Sequence, residues 1–127
     1  MPTIYLVPST IADQATETIP PYILDAIRQC QVIFAENERT ARRFLKSLDK
    51  NIEIGDFEWY EIHKAEKEQS AHFRQKVKEE KNIAVISEAG CPGVADPGQA
   101  LVAIAQEMNC HIKPLVGPSS ILLALMA

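Results

Sequence analysis

The sequence predicts an α/β domain built as a parallel sheet in three layers, with helices on both faces. Three observations carry that expectation. The runs Ile4 to Val7, Val32 to Ala35 and Ile83 to Ile86 are apolar without polar alternation, as strands buried on both faces are. Segments of helical periodicity separate them, the order of βαβ units. Turn-forming and capping residues gather directly after the strand runs, the edge at which such sheets bind ligands.

Along the chain, Ile4 to Val7 is ended by Pro8, and polar residues continue to Pro20-Pro21. A helix is expected from Tyr22 to Gln29, with Ile23, Ala26 and Ile27 on one face. After the second strand, Asn37 is a natural N-cap for a helix from Glu38 to Leu48. There Ala41, Phe44, Leu45 and Leu48 form the core-facing stripe, at i, i+3, i+4 and i+7. Arg39, Arg42, Arg43, Lys46 and Lys50 repeat that spacing on another face. Such a stripe is able to meet phosphates, although a solvated face is the commoner use.

Trp59 to Ile62 reads as a third strand of weaker signal. Glu66 to Lys81 reads as a charge-dense peripheral helix with Phe73 and Val77 as its apolar stripe. His63 and His72 lack metal-ligand spacing, so no metal site is expected. A helix ending at Met108 precedes a short strand, His111 to Val116, which Pro114 assigns to an edge. A last helix is expected from Pro118 to Ala127.

One stretch stands out from this framework. Ser87-Glu88-Ala89-Gly90-Cys91-Pro92-Gly93-Val94-Ala95-Asp96-Pro97-Gly98 holds three of the five glycines and two of the eight prolines. It joins the run Ile83 to Ile86 to the next helix, for which Asp96 and Pro97 suit the N-cap and first position. Long ordered loops of this kind tend to be functional. It carries Glu88 and Asp96 but neither Lys nor Arg, a poor setting for a polyphosphate. A ligand combining ammonium, carboxylate and sulfonium, such as S-adenosylmethionine, suits it better than ATP. Neither Gly-x-Gly-x-x-Gly after the first strand, nor a P-loop, nor Gly-x-Ser-x-Gly is present. Cys91 has no neighbouring cation to activate it, so a nucleophilic role is not expected.

Composition bounds the remaining classes. The chain has 127 residues and a formal net charge of −4, which argues against a wholly basic nucleic-acid module. Its three cysteines are widely spaced and odd in number, suggesting reduced thiols and a cytoplasmic location. No apolar run reaches the roughly 18 residues of a membrane span, and no signal peptide is read at the N-terminus.

The loop SEAGCPGVADPG resembles that of the tetrapyrrole (corrin/porphyrin) methylase superfamily, especially its ribosomal small-subunit methyltransferase I branch. IYLVPSTIAD, IFAENERT and GPSSILLALMA are similar to further stretches of that branch. The resemblance covers an N-terminal domain almost end to end. It implies S-adenosylmethionine-dependent methyl transfer, with the cofactor held between two α/β domains of a homodimer. By position, Ala89, Gly90 and Cys91, with Glu88 beside them, fall where the family holds the methionine end of the cofactor. Val94 falls at the adenosyl portion, Ser119 and Ser120 at another contacting turn, and Pro8 near the cleft. Glu36, Asn37 and Arg39 fall in the substrate segment. The branch commonly reads Glu-Asp-Thr-Arg there, usually has Asp at the position of Glu88, and has Thr at that of Cys91.

The expected function is methylation of ribosomal RNA in the small subunit, at a cytidine 2′-hydroxyl. A tetrapyrrole or corrin C-methyltransferase is the enzymatic alternative. A non-catalytic cofactor-binding domain is the other, favoured by the altered segment Glu36 to Arg39. Glu36 and Glu88 are both candidate bases and nothing selects one. The apolar final turn, Leu123 to Ala127, leads us to expect residues 1–127 to be the N-terminal half of a longer two-domain enzyme.

Overall fold

The computed structural model describes residues 2–7, 21–62, 66–86 and 99–115. Five strands form one sheet: β1 (Thr3–Val7), β2 (Val32–Ala35), β3 (Glu58–Glu61), β4 (Ile83–Ile86) and β5 (His111–Pro114). Their order is β3-β2-β4-β1-β5, and every pairing is parallel. Among the described residues, four α-helices lie between them in sequence, α1 (Tyr22–Arg28), α2 (Glu38–Leu48), α3 (Glu66–Lys78) and α4 (Gln99–Glu107), with a short 3-10 turn at Ile54–Asp56 before β3.

Side chains alternate across the sheet into two cores. Tyr5, Val7, Ile33, Ala35, Ala84 and Ile86 pack with Ile23, Ala26 and Ile27 of α1 and with Ala41, Phe44 and Leu45 of α2. Ile4, Leu6, Val32, Phe34, Ile83 and Val85 pack with Phe73 and Val77 of α3 and with Leu101, Ile104 and Ala105 of α4. The three-layer α/β architecture predicted from unalternating strands is therefore the observed one. On the second face the Phe34 ring stacks on Tyr60 at 4.8 Å and meets Phe73 edge-on at 5.3 Å.

The elements depart from expectation mainly at their ends. β3 begins one residue earlier than read, because Glu58 is in register with Val32 of β2. α3 stops at Lys78 rather than Lys81. Glu80 takes a left-handed φ of 59°, and the Glu80 and Lys81 N–H groups donate back to Val77 and Lys76. Asn109 (φ 58°) closes α4 in the same way, with Cys110 N–H donating to Ala105. Both are Schellman closures made without glycine. β5 lies at the sheet edge, as Pro114 suggested.

Candidate functional site at the carboxyl edge of the sheet

The two ends of the sheet differ in kind. At the amino end, Asn82 stitches three strands together. Its side-chain oxygen accepts from Thr3 N–H at 3.0 Å, and its backbone carbonyl accepts from Gln31 and Val32 N–H. Its own N–H donates to Gln31 Oε1 at 2.8 Å. That end is closed by its own hydrogen bonds.

The carboxyl end is organised by β2 and β4, which lie side by side with Ala35 opposite Ile86. From β2 the chain continues to α2 and to β3 at one margin of the sheet. From β4 it continues to α4, on the opposite face, and to β5 at the other margin. Adjacent parallel strands whose connections diverge leave a crevice outside their carboxyl ends, the topological switch point at which α/β sheets bind ligands. The strand ends that meet this edge are apolar, and Val7, Ala35 and Ile86 are fully buried. The Glu36 N–H donates to the Ile86 carbonyl at 3.0 Å and the Ile62 N–H to Ala35 at 2.8 Å, fixing the rim.

Glu36 and Asn37 form the whole passage from β2 to α2, so they stand at this switch point. Asn37 is the N-cap of α2, and its Oδ1 accepts from Thr40 N–H at 3.0 Å. A second acceptor comes from Glu61, the last residue of β3, which takes the Glu38 N–H at 2.9 Å. Two of the four N–H groups that a helix start leaves unpaired are thereby satisfied, and a carboxylate faces the positive end of the dipole. The sequence reading missed Glu61. A parallel β2–β3 pair ending together at Ala35 and Glu61 is the signal that finds it. Arg39 stands exposed on the first turn of α2. The other expected site residues, Pro8, Glu88, Ala89, Gly90, Cys91, Val94, Ser119 and Ser120, lie outside the described residues, as do the Asp96-Pro97 cap, His63 and the last helix. In sequence, Pro8 directly follows Val7, and Glu88 is two residues beyond Ile86.

Among the described residues, the large titration shifts fall away from this edge. Lys76 and Lys81 each approach Glu58 at 2.7 Å, holding its carboxyl at about 2. Glu58 opens β3, so the cluster belongs to the amino end of the sheet and reads as structural. Burial pushes the Cys30 thiol up to about 12. The His72 ring lies tilted against Tyr60, with centroids 4.9 Å apart. Among the described residues no group of three or more His, Cys, Asp or Glu is arranged to hold a metal ion. No helix among them is long and apolar enough to cross a membrane.

The family of tetrapyrrole (corrin/porphyrin) methylases matches residues 4–127. The chain belongs to that family. Among curated relatives, the ribosomal RNA small subunit methyltransferase I of Micromonospora olivasterospora is 31% identical over 98% of this chain and 38% of its own length. The Escherichia coli O157:H7 protein of the same name is 30% identical, over 98% of this chain and 41% of its own. This chain thus spans about two fifths of the length of the curated relatives it matches. Among solved structures, uroporphyrin-III C-methyltransferase from Thermus thermophilus superposes with a TM-score of 0.65 at 14% identity, over 94% of this chain and 49% of that one. The same enzyme complexed with S-adenosyl homocysteine gives 0.65 at 16%. These structures share the fold of the family member described above.

Proposed function

We propose that this chain is the N-terminal, cofactor-holding domain of a two-domain S-adenosylmethionine-dependent methyltransferase. Its acceptor is ribosomal RNA of the small subunit, at the 2′-hydroxyl of a cytidine, and it works in the cytoplasm as a homodimer. The observation that carries this reading is the run of relatives named ribosomal RNA small subunit methyltransferase I, matched over 98% of the chain.

The carboxyl-edge crevice fits such a cofactor. The strand ends behind it, Val7, Ala35 and Ile86, are apolar and fully packed, a rigid base for the loops that follow them in sequence. Neither Glu36-Asn37 nor residues 87–98 contain Lys or Arg, so nothing in these sequences repels a sulfonium. When bound, the cofactor supplies an electrophilic methyl group. The chain's own residues supply position, which accounts for much of the barrier reduction in a transfer of this kind. Pro8, Glu88, Ala89, Gly90, Cys91, Val94, Ser119 and Ser120 hold the cofactor. Glu36, Asn37 and Arg39 meet the acceptor, with Glu36 or Glu88 taking the hydroxyl proton. Asn37 and Glu61 pin the start of α2 and so fix where Glu36 stands.

Transfer of labelled methyl groups from S-adenosylmethionine tests this reading. The full-length protein is expected to label small ribosomal subunits from cells lacking its gene and to leave uroporphyrinogen unlabelled. Labelling of the porphyrinogen alone assigns the acceptor to the tetrapyrrole class. Labelling of neither contradicts methyl transfer to either acceptor.

A further inference from the structure

The basic face of α2 begins at Arg39, in the segment proposed to meet the acceptor, and continues beyond it along the helix. Over Glu38–Leu48 the sequence carries four cations and one carboxylate, in a chain whose net charge is −4. The structure divides those cations into two sets. Arg42 lies over the Trp59 ring, 5.2 Å from its centroid, and pairs with Glu38 at 3.3 Å. Lys46 Nζ donates to the Lys50 and Ile52 carbonyls at 3.3 and 2.8 Å, closing the turn after the helix. Both cations serve the fold, and Arg42 offsets the one acidic group on the face. Arg39 and Arg43 are exposed, and among the described residues neither makes an ion pair. They sit one turn apart, about 6 Å along the helix axis. Because α2 starts at the switch point, Arg39 is nearest the crevice and Arg43 leads away from it.

We propose that Arg39 and Arg43 form a phosphate-binding track for the RNA backbone, leading along α2 toward the carboxyl-edge crevice. The proposal deepens the RNA-methyltransferase reading and rests on it. Guanidinium groups suit phosphate by their forked donors and permanent charge. Two such contacts position an RNA without reading its sequence. An ordinary solvated face differs from this in one measurable respect: it releases no counterions when RNA binds.

The test is the salt dependence of binding to in-vitro transcribed small-subunit ribosomal RNA, using the full-length protein. Each phosphate contact contributes about 0.7–0.9 to the slope of log affinity against log salt. The double variant Arg39→Gln/Arg43→Gln is therefore expected to lose about 1.4–1.8 from that slope. Between 50 and 200 mM salt its affinity should fall about tenfold less than that of the wild type. Its KM for RNA should rise. Lys78→Gln, at the far end of α3 on the opposite face, is the control and should leave the slope unchanged. An unchanged slope in the double variant, with RNA bound and methylated normally, overturns the track and leaves the RNA reading intact. Equal slope losses in the double variant and in Lys78→Gln also overturn it. Failure of the wild type to bind the RNA overturns both.

Discussion

Asn37→Ala separates two roles for a residue that stands at a helix start and in the segment proposed to meet the acceptor. In the structure its Oδ1 takes the Thr40 N–H at 3.0 Å, the third amide of α2. Loss of such a cap costs about 1 kcal/mol, within a range of about 0.5–2. The Glu61 carboxylate still holds the Glu38 N–H, which keeps the cost near the middle of that range. For a domain of this size that corresponds to a fall of about 4 °C in Tm. Asn37→Asp keeps the acceptor and adds charge at the positive end of the dipole, a gain of about 0.3–1 kcal/mol. Glu36, Glu38 and Glu61 stand around it and repel that charge, so the variant should melt close to the wild type. Thermal and urea unfolding of the three proteins is the assay, with methyl transfer measured alongside. An Asn37→Ala protein that melts like the wild type refutes the cap. Methyl transfer abolished at unchanged Tm assigns Asn37 to the substrate alone.

Phe34→Ala should cost about 3–5 kcal/mol by urea unfolding, because a fully buried ring stacked on Tyr60 and meeting Phe73 leaves a cavity; a cost below 1 kcal/mol contradicts that packing. Glu58 has a carboxyl held at about 2 against an ordinary 4.5, so its contribution is complete above about pH 4.5 and lost as pH falls toward 2. Glu58→Gln should therefore flatten the acid limb of a stability–pH curve. The pairs are partly exposed and solvent-screened, so the effect is expected to be small and to shrink at high salt; an unaltered acid limb refutes the assignment. Cys30, buried and with its thiol raised to about 12, should resist iodoacetamide at neutral pH until the chain unfolds; mass-spectrometric labelling of the native protein at the rate of a free thiol contradicts its burial.

Much of the architecture was legible wherever two independent signals agreed. α2 runs over Glu38–Leu48 as expected, because a wide apolar stripe and an Asn cap specified the same start. The parallel sheet was legible because Val32–Ala35 and Ile83–Ile86 are apolar at every position. β3 was read one residue late because its residues are all half-buried, leaving pairing with β2, rather than periodicity, to set its limits. The end of α3 was illegible because Glu80 closes it in a conformation usually supplied by glycine. Periodicity placed the basic residues of α2 on one face. It did not reveal that Trp59 and the carbonyls after the helix engage Arg42 and Lys46, since those partners arrive through tertiary packing. Glu61 was passed over for the same reason: its role depends on which strand lies beside β2. Of the candidate site, Glu36 and Asn37 stand at the switch point, and Asn37 has a structural duty that its spacing alone had already suggested.

Amide hydrogen exchange of the full-length protein, with and without saturating S-adenosylhomocysteine, tests most directly whether the carboxyl edge between β2 and β4 holds the cofactor. Protection is expected at Glu36 and Asn37 and across residues 87–98, with none added at Asn82 on the closed amino edge. Added protection confined to the amino edge, or none anywhere at millimolar ligand, contradicts the account.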